Sequence, residues 1–211
     1  MEIFKNMADE VEKGHSETVK ELIEKALSQD ISAEEILYRG LVVGMDIMSE
    51  KFKNNECFIP EVLVAAKAMN AGLEIIKPLL AEANVKSQGK VVIGTVKGDL
   101  HDIGKNIVAM MLQGAGFEVI DCGADVSKEK FAEAVKNERA DLVGMSALLT
   151  TTMPYMKEVI ETLKNEGLRQ NVKIIIGGAP VTESYAEAIG ADGYAPDAGS
   201  AVDLFKRLLN E

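Results

Sequence analysis

Residues 89–108 read GKVVIGTVKGDLHDIGKNIV, and the reading of this stretch decides the fold. The run 91–96 is rich in Val and Ile and does not alternate with charged residues. That is the pattern of a strand buried on both faces of a parallel sheet. A polar loop from Lys97 follows, and 103–112 returns to helical spacing. The unit repeats downstream. Strand-like runs fall at 117–121, 142–146 and 172–176, with a weak fifth at 193–195. Helical stretches follow at 128–137, 154–165, 183–189 and 201–209. Five such units predict an α/β doubly wound domain, flavodoxin-like or Rossmann-like, with a five-stranded parallel sheet. Right-handed crossovers place a ligand beyond the carboxyl ends of the strands, where strand order reverses. Glycines cluster at those ends: Gly98, Gly104, Gly123, Gly144, Gly177 and Gly178.

Upstream the pattern is different. Ile3, Met7 and Val11, then Val19, Leu22, Ile23, Ala26 and Leu27, recur at helical steps, with a stop and restart at Lys13-Gly14-His15-Ser16. Ser32 and Glu35 have capping-box form. The helix they start carries Ile36, Leu37, Leu41, Met45, Met48 and Phe52, and ends at Asn54-Asn55. Pro60 suits the first turn of the next helix, which carries Leu63, Ala66, Met69 and Leu73 and is bent or ended by Pro78. The expectation is an all-α four-helix bundle over 1–88 and the α/β domain over 89–211, joined by a polar linker at 83–89. Glycine usage agrees: four of 18 precede residue 89 and fourteen follow.

Acids outnumber bases 34 to 23, a net charge of −11. Such a surface repels phosphate backbones and anionic lipid, so neither nucleic acid nor membrane is expected as a partner. Aromatics at 5% with no Trp provide no stacking platform. Cys57 and Cys122 are no disulfide framework and read as small buried hydrophobes. The start, MEIFKNMADEVEKG, has no basic region followed by an apolar stretch, and no apolar run approaches the ~20 residues that span a bilayer. A cytoplasmic protein is expected.

The loop Lys97–Asn106 carries the chemistry. It fails as a phosphate loop, because five residues rather than four separate Gly98 from Gly104 and Asn106 stands where Ser or Thr holds magnesium. No G-x-G-x-x-G is present either. What remains is His101 at the mouth of a sheet, flanked by Asp99 and Asp102. A histidine there has two readings, a helix cap or a metal ligand. A ligating imidazole has its second nitrogen held by a carboxylate, which Asp99 supplies two residues away. No second His or Cys lies near enough for a zinc site with three or four protein ligands. One strong ligand fits a metal whose other positions a macrocycle fills.

Asp99-x-His101-x-x-Gly104, with Ser146-x-Leu148 after the third strand and Gly177-Gly178 after the fourth, resembles the cobalamin-binding domain of methionine synthase and its relatives. Phe58-Ile59-Pro60-Glu61 is similar to the helical cap of methyl-transferring members. Length and two-part make-up look most like the small corrinoid proteins of methanogens and acetogens.

The resemblance implies that His101 replaces the cofactor's own base as lower axial ligand to the cobalt of cobalamin or a related corrinoid. It implies that Asp99 bonds the far ring nitrogen and that Thr152, a threonine where methionine synthase has serine, continues the relay. Ser146 would contact the nucleotide tail, with Leu148 in the same element. Gly104, Gly144, Gly177 and Gly178 would clear the tail's channel. For Gly144, a tight turn is an equal reading. Residues 179–182 depart from the methionine synthase pattern. Phe58 has two readings, a cover for the methyl-bearing face or a hydrophobic staple. Met45, Met48 and Met69 read as bundle core, and Lys97 and Lys105 either meet the corrin or are solvated.

The function so implied is a methyl carrier, alternating between cobalt(I) and methyl-cobalt(III). Its partners would be a substrate-specific methyltransferase, a second methyltransferase acting on a thiol or tetrahydrofolate, and a reductive activase. The chain alone shows no convincing nucleophile or general base. A cobalamin-binding sensor is the alternative. A phosphoacceptor receiver using Asp99 or Asp121 leaves the helical half unexplained, and a mutase lacks its barrel.

Overall fold

A computed structural model describes residues 1–210. The chain divides into two units. Met1–Gln88 groups with Met110–Gly116, and Gly89–Ala109 groups with the chain from Phe117 onward.

In the helical unit, α1 (Glu2–Glu12) and α2 (Ser16–Leu27) are joined through Gly14 at φ +74°. Ser32 accepts a hydrogen bond from the Glu35 amide at 3.2 Å and starts α3 (Ala33–Ile36). The single helix expected from Ser32 instead passes through a π-helical turn, Leu37–Leu41, before α4 (Val42–Lys53). Two contacts hold that wide turn. Gly40 lies against Met7, where a Cβ would stand 2.5 Å from the sulfur, and the Arg39 guanidinium sits 4.5 Å over the Phe4 ring. Helix α5 (Ile59–Glu82) starts with Glu61 accepting from the Phe58 amide at 3.1 Å.

Pro78 does not end α5, which continues through Glu82. The missing N–H costs a single bond in a helix whose face is already anchored by Met69 and Ile76. The apolar face of α5 runs through Val62, Ala65, Ala66, Met69 and Ile76, while Leu63 is exposed. Met45, Met48 and Met69 are buried core. The polar segment 83–88 is bonded within its own unit. The Tyr38 hydroxyl donates to the Lys86 carbonyl at 3.1 Å, and the Gln88 amide donates to Gly116 at 3.0 Å.

The second unit is a parallel sheet of β1 (Lys90–Thr95), β2 (Glu118–Asp121), β3 (Leu142–Ser146), β4 (Lys173–Gly177) and β5 (Gly193–Ala195), in the order β2-β1-β3-β4-β5. Helices α6 (Ile103–Gly114), α7 (Lys128–Glu138), α8 (Pro154–Asn165), α9 (Glu183–Ile189) and α10 (Ala198–Leu209) alternate with the strands. Strands β1, β3 and β4 are buried almost throughout, as their unbroken apolar runs require. The outer strands β2 and β5 are only half buried, because each has a neighbour on one side.

Strand order reverses between β1 and β3, so the crevice above their carboxyl ends is the ligand position of this topology. Register aligns Thr95 with Ser146 and Ser146 with Gly177 in one row along that edge. Helix α10 begins three residues before the expected start. Asp197 caps it, accepting from the Ser200 amide and hydroxyl at 2.8 and 2.7 Å.

Candidate corrinoid site

The loop between β1 and α6 opens with a turn in which the Asp99 amide donates to the Val96 carbonyl at 3.1 Å. Gly98, at φ +81°, occupies the third position, where glycine permits a type II turn. The turn delivers the Asp99 side chain into the protein, where the residue is fully buried.

One carboxylate oxygen, Oδ1, accepts from the His101 amide at 3.0 Å and meets His101 Nδ1 at 2.8 Å. The other, Oδ2, accepts from the Leu148 and Leu149 amides at 2.8 and 3.2 Å and from the Thr152 hydroxyl at 2.7 Å. Burial alone would raise the Asp99 carboxyl. The hydrogen bonds from His101, Thr152 and Leu148 outweigh it and hold the group well below the usual carboxylate range. An ionised carboxylate only accepts, so Nδ1 carries a ring proton and Nε2 is the nitrogen left to take a metal. The imidazole side chain is 53% exposed. Thr95 donates to the His101 carbonyl at 3.1 Å and fixes the backbone beneath the ring.

The surroundings suit a large, flat, partly apolar group. Leu100 and Ile103, on either side of His101 in sequence, are 75% and 70% exposed, and Leu148 and Leu149 are also exposed. Several exposed aliphatics in the two loops that meet at Asp99 are the kind of surface a binding partner covers. At Gly104, which is exposed, a Cβ would meet nothing within 4 Å, so no protein neighbour demands glycine and the position has the room that a ligand cradle would need. These residues fit a corrinoid whose cobalt the His101 imidazole would hold.

Other expected residues have reasons of their own. A Cβ on Gly178, at φ +123°, would overlap the Ala147 carbonyl oxygen, and one on Gly177 would stand 3.0 Å from that of Ala195. The pair lets two loops pass backbone to backbone. Gly144 lies within β3, where a Cβ would press on Ile93 and Phe205 at 3.1 and 3.2 Å. Neither a turn nor a channel is the cause; packing is. Ser146 ends β3 in the aligned row.

Lys105 neither faces the crevice nor is solvated. Its side chain is 1% exposed, paired with Asp121 and donating to Asn106 Oδ1 at 2.6 Å. Lys97 pairs with Asp125 at 3.1 Å on the surface. Phe58 belongs to the helical unit and is 66% exposed, so it is not a staple. The position before it, Cys57, is buried. The second histidine, His15, is exposed and bonded to Glu10 at 2.6 Å.

Sequence reading missed Thr95 and Asp125. Asp125 accepts from the Gly98 amide at 2.7 Å, and that bond, with the Lys97 ion pair, holds its carboxyl below the usual range. A threonine closing an otherwise aliphatic strand was the one available signal.

The fold and this edge define a class: a doubly wound domain presenting one imidazole at its switch point, joined to a helical bundle. Two family models, each described as a B12 binding domain, match residues 89–203 and 3–77. The chain belongs to this family of B12-binding corrinoid proteins, and its cofactor is a corrinoid. It is 47% identical over 209 residues to dimethylamine corrinoid protein 1 of Methanosarcina acetivorans, covering 99% of this chain and 98% of the relative. The methanol:cobalamin methyltransferase complex MtaBC of Methanosarcina barkeri contains a chain that superposes with a TM-score of 0.89. It is 30% identical and the match covers 99% of this chain and 80% of that one. A cobalamin-binding protein from Desulfitobacterium hafniense superposes at 0.81, with 33% identity and 97% of each chain covered. The chain is thus homologous to corrinoid subunits of methyltransferase systems. Among the described residues no helix is long and apolar enough to cross a membrane.

Proposed function

We propose that this chain carries a methyl group between a substrate-specific methyltransferase and a second methyltransferase acting on a thiol or tetrahydrofolate, with a reductive activase maintaining it. The observation that carries this reading is the buried Asp99 carboxylate, whose bond to Nδ1 leaves Nε2 of the exposed His101 ring to take the cobalt. The corrinoid, when bound, supplies the cobalt that accepts and yields the methyl group.

The protein's contribution is positional. His101 Nε2 would hold the corrinoid's cobalt, and Asp99 would fix the ring's tautomer and raise its basicity. Thr152, Leu148 and Leu149 hold Asp99 in turn. Ser146 and Gly104 receive the nucleotide tail, and residues 1–88 serve as the cap, with Phe58 as its corrin-facing side chain. Relatives named for dimethylamine and for a methanol:cobalamin complex support methylated amines or methanol as the donor class.

The test is to load the chain with hydroxocobalamin, reduce it, and screen methylamines and methanol with candidate partner enzymes. Methyl transfer dependent on both partners is the expected result. His101→Ala changes the bound cofactor's absorption spectrum and weakens its retention. An unchanged spectrum in that variant would remove His101 as the axial ligand.

A further inference from the structure

We propose that Asp125 is a positioning residue for the axial ligand: its carboxylate oxygen sets the turn that delivers Asp99 and His101. The inference rests on His101 being that ligand, and it extends to a residue in a different loop, between β2 and α7.

Residues Val96–Asp99 form the turn that opens the ligand loop. Types I and II differ mainly by a flip of the central peptide, here the one joining Lys97 to Gly98. In type II that peptide's N–H points away from the turn and finds no partner within it. Asp125 Oδ1 takes that proton, accepting from the Gly98 amide at 2.7 Å. The Asp125 amide then donates to the Asp99 carbonyl at 3.0 Å. One residue therefore clamps the peptide groups on either side of the Gly98–Asp99 pair, and the adjoining Val96 and Val126 form a parallel bridge that brings the loops together.

Asp125 adopts φ +53° to do this, a left-handed conformation that costs an ordinary side chain and that Asp tolerates better than most. Strain held at a residue clamped to the ligand loop is strain with a function. The ion pair with Lys97 is exposed on both sides and contributes little by itself. The acceptor oxygen is therefore the working part, and the charge is not.

The experiment uses the full chain labelled with nitrogen-15 and loaded with unlabelled cobalamin in the cobalt(II) state. In its EPR spectrum a nitrogen-15 axial ligand from the protein splits each cobalt line into two, whereas the cofactor's own nitrogen-14 base splits it into three. Asp125→Gly removes the carboxylate while suiting a positive φ, so the fold is kept. It loses the doublet in most of the bound cofactor and releases cofactor about tenfold faster, in the range seen for outer partners of metal ligands. Asp125→Asn keeps an acceptor oxygen and retains both the doublet and the slow release.

A wild-type doublet and release rate in Asp125→Gly would overturn the proposal, as would an Asp125→Asn variant that fails as badly as glycine. His101→Ala separates the two readings. A doublet surviving in that variant takes both down, whereas its loss there but not in Asp125→Gly takes down this one alone.

Discussion

The two units solve the same folding problem with different chemistry. In the helical unit the core is almost purely apolar, and although Tyr38 reaches Lys86 and Lys51 reaches Glu12, many polar groups are satisfied close by in sequence. Examples are the Ser32 cap, the Lys13–Glu10 pair and the Arg39–Glu35 pair. In the sheet unit Thr95, Asp99, Lys105 and Thr152 are buried, and Ser49 is their only buried polar counterpart among the described residues of the helical unit. Three of the four bear directly on the β1–α6 loop, and their partners lie up to 53 residues away. Buried polar groups satisfied over long range mark where a fold gives up stability for a defined geometry.

Breaking that geometry gives the largest expected effect. Asp99→Ala leaves the His101 amide and ring, the Leu148 and Leu149 amides and the Thr152 hydroxyl without their shared acceptor. A loss of about 3–5 kcal/mol in apo-protein stability is expected, since one buried charge and several bonds to it disappear together. Urea unfolding measures it, and a loss below ~1 kcal/mol would show that water replaces the carboxylate. The helical unit has no comparable point of failure. Ser32→Ala removes one cap bond there and costs about 1 kcal/mol, read in the same experiment.

The third prediction sharpens the contrast further, because stability and binding part company. Gly104→Ala puts a methyl group into open space on a helix. Apo stability is unchanged or rises by up to ~1 kcal/mol, while retention of cobalamin on gel filtration falls. Unchanged retention would mean the cradle is not used.

How much of this was legible in the sequence follows from the range of the interactions. The parallel sheet was readable because burial on both faces writes itself as unbroken Val and Ile runs. Both ends of β1 and β4 and the start of β2 shifted by one residue because such runs do not mark the last paired position. Asp99 and His101 stand two residues apart and could be read together. The π turn was not readable, since its causes are Met7 and Phe4 on another helix. Lys105 misled because a lysine in a loop motif looks solvated until Asp121 comes to meet it. Asp125 was invisible for the same reason: Gly98 lies 27 residues before it.

Asp99 divides its two oxygens between the β1–α6 loop and the β3–α8 loop. That division makes the loops a single heritable part. A ligand loop transplanted from a relative without its opposite loop would arrive with half its carboxylate unclaimed. Swapping 97–102 and 147–153 together preserves the join, so the unit to exchange by design is a pair of segments far apart in the sequence.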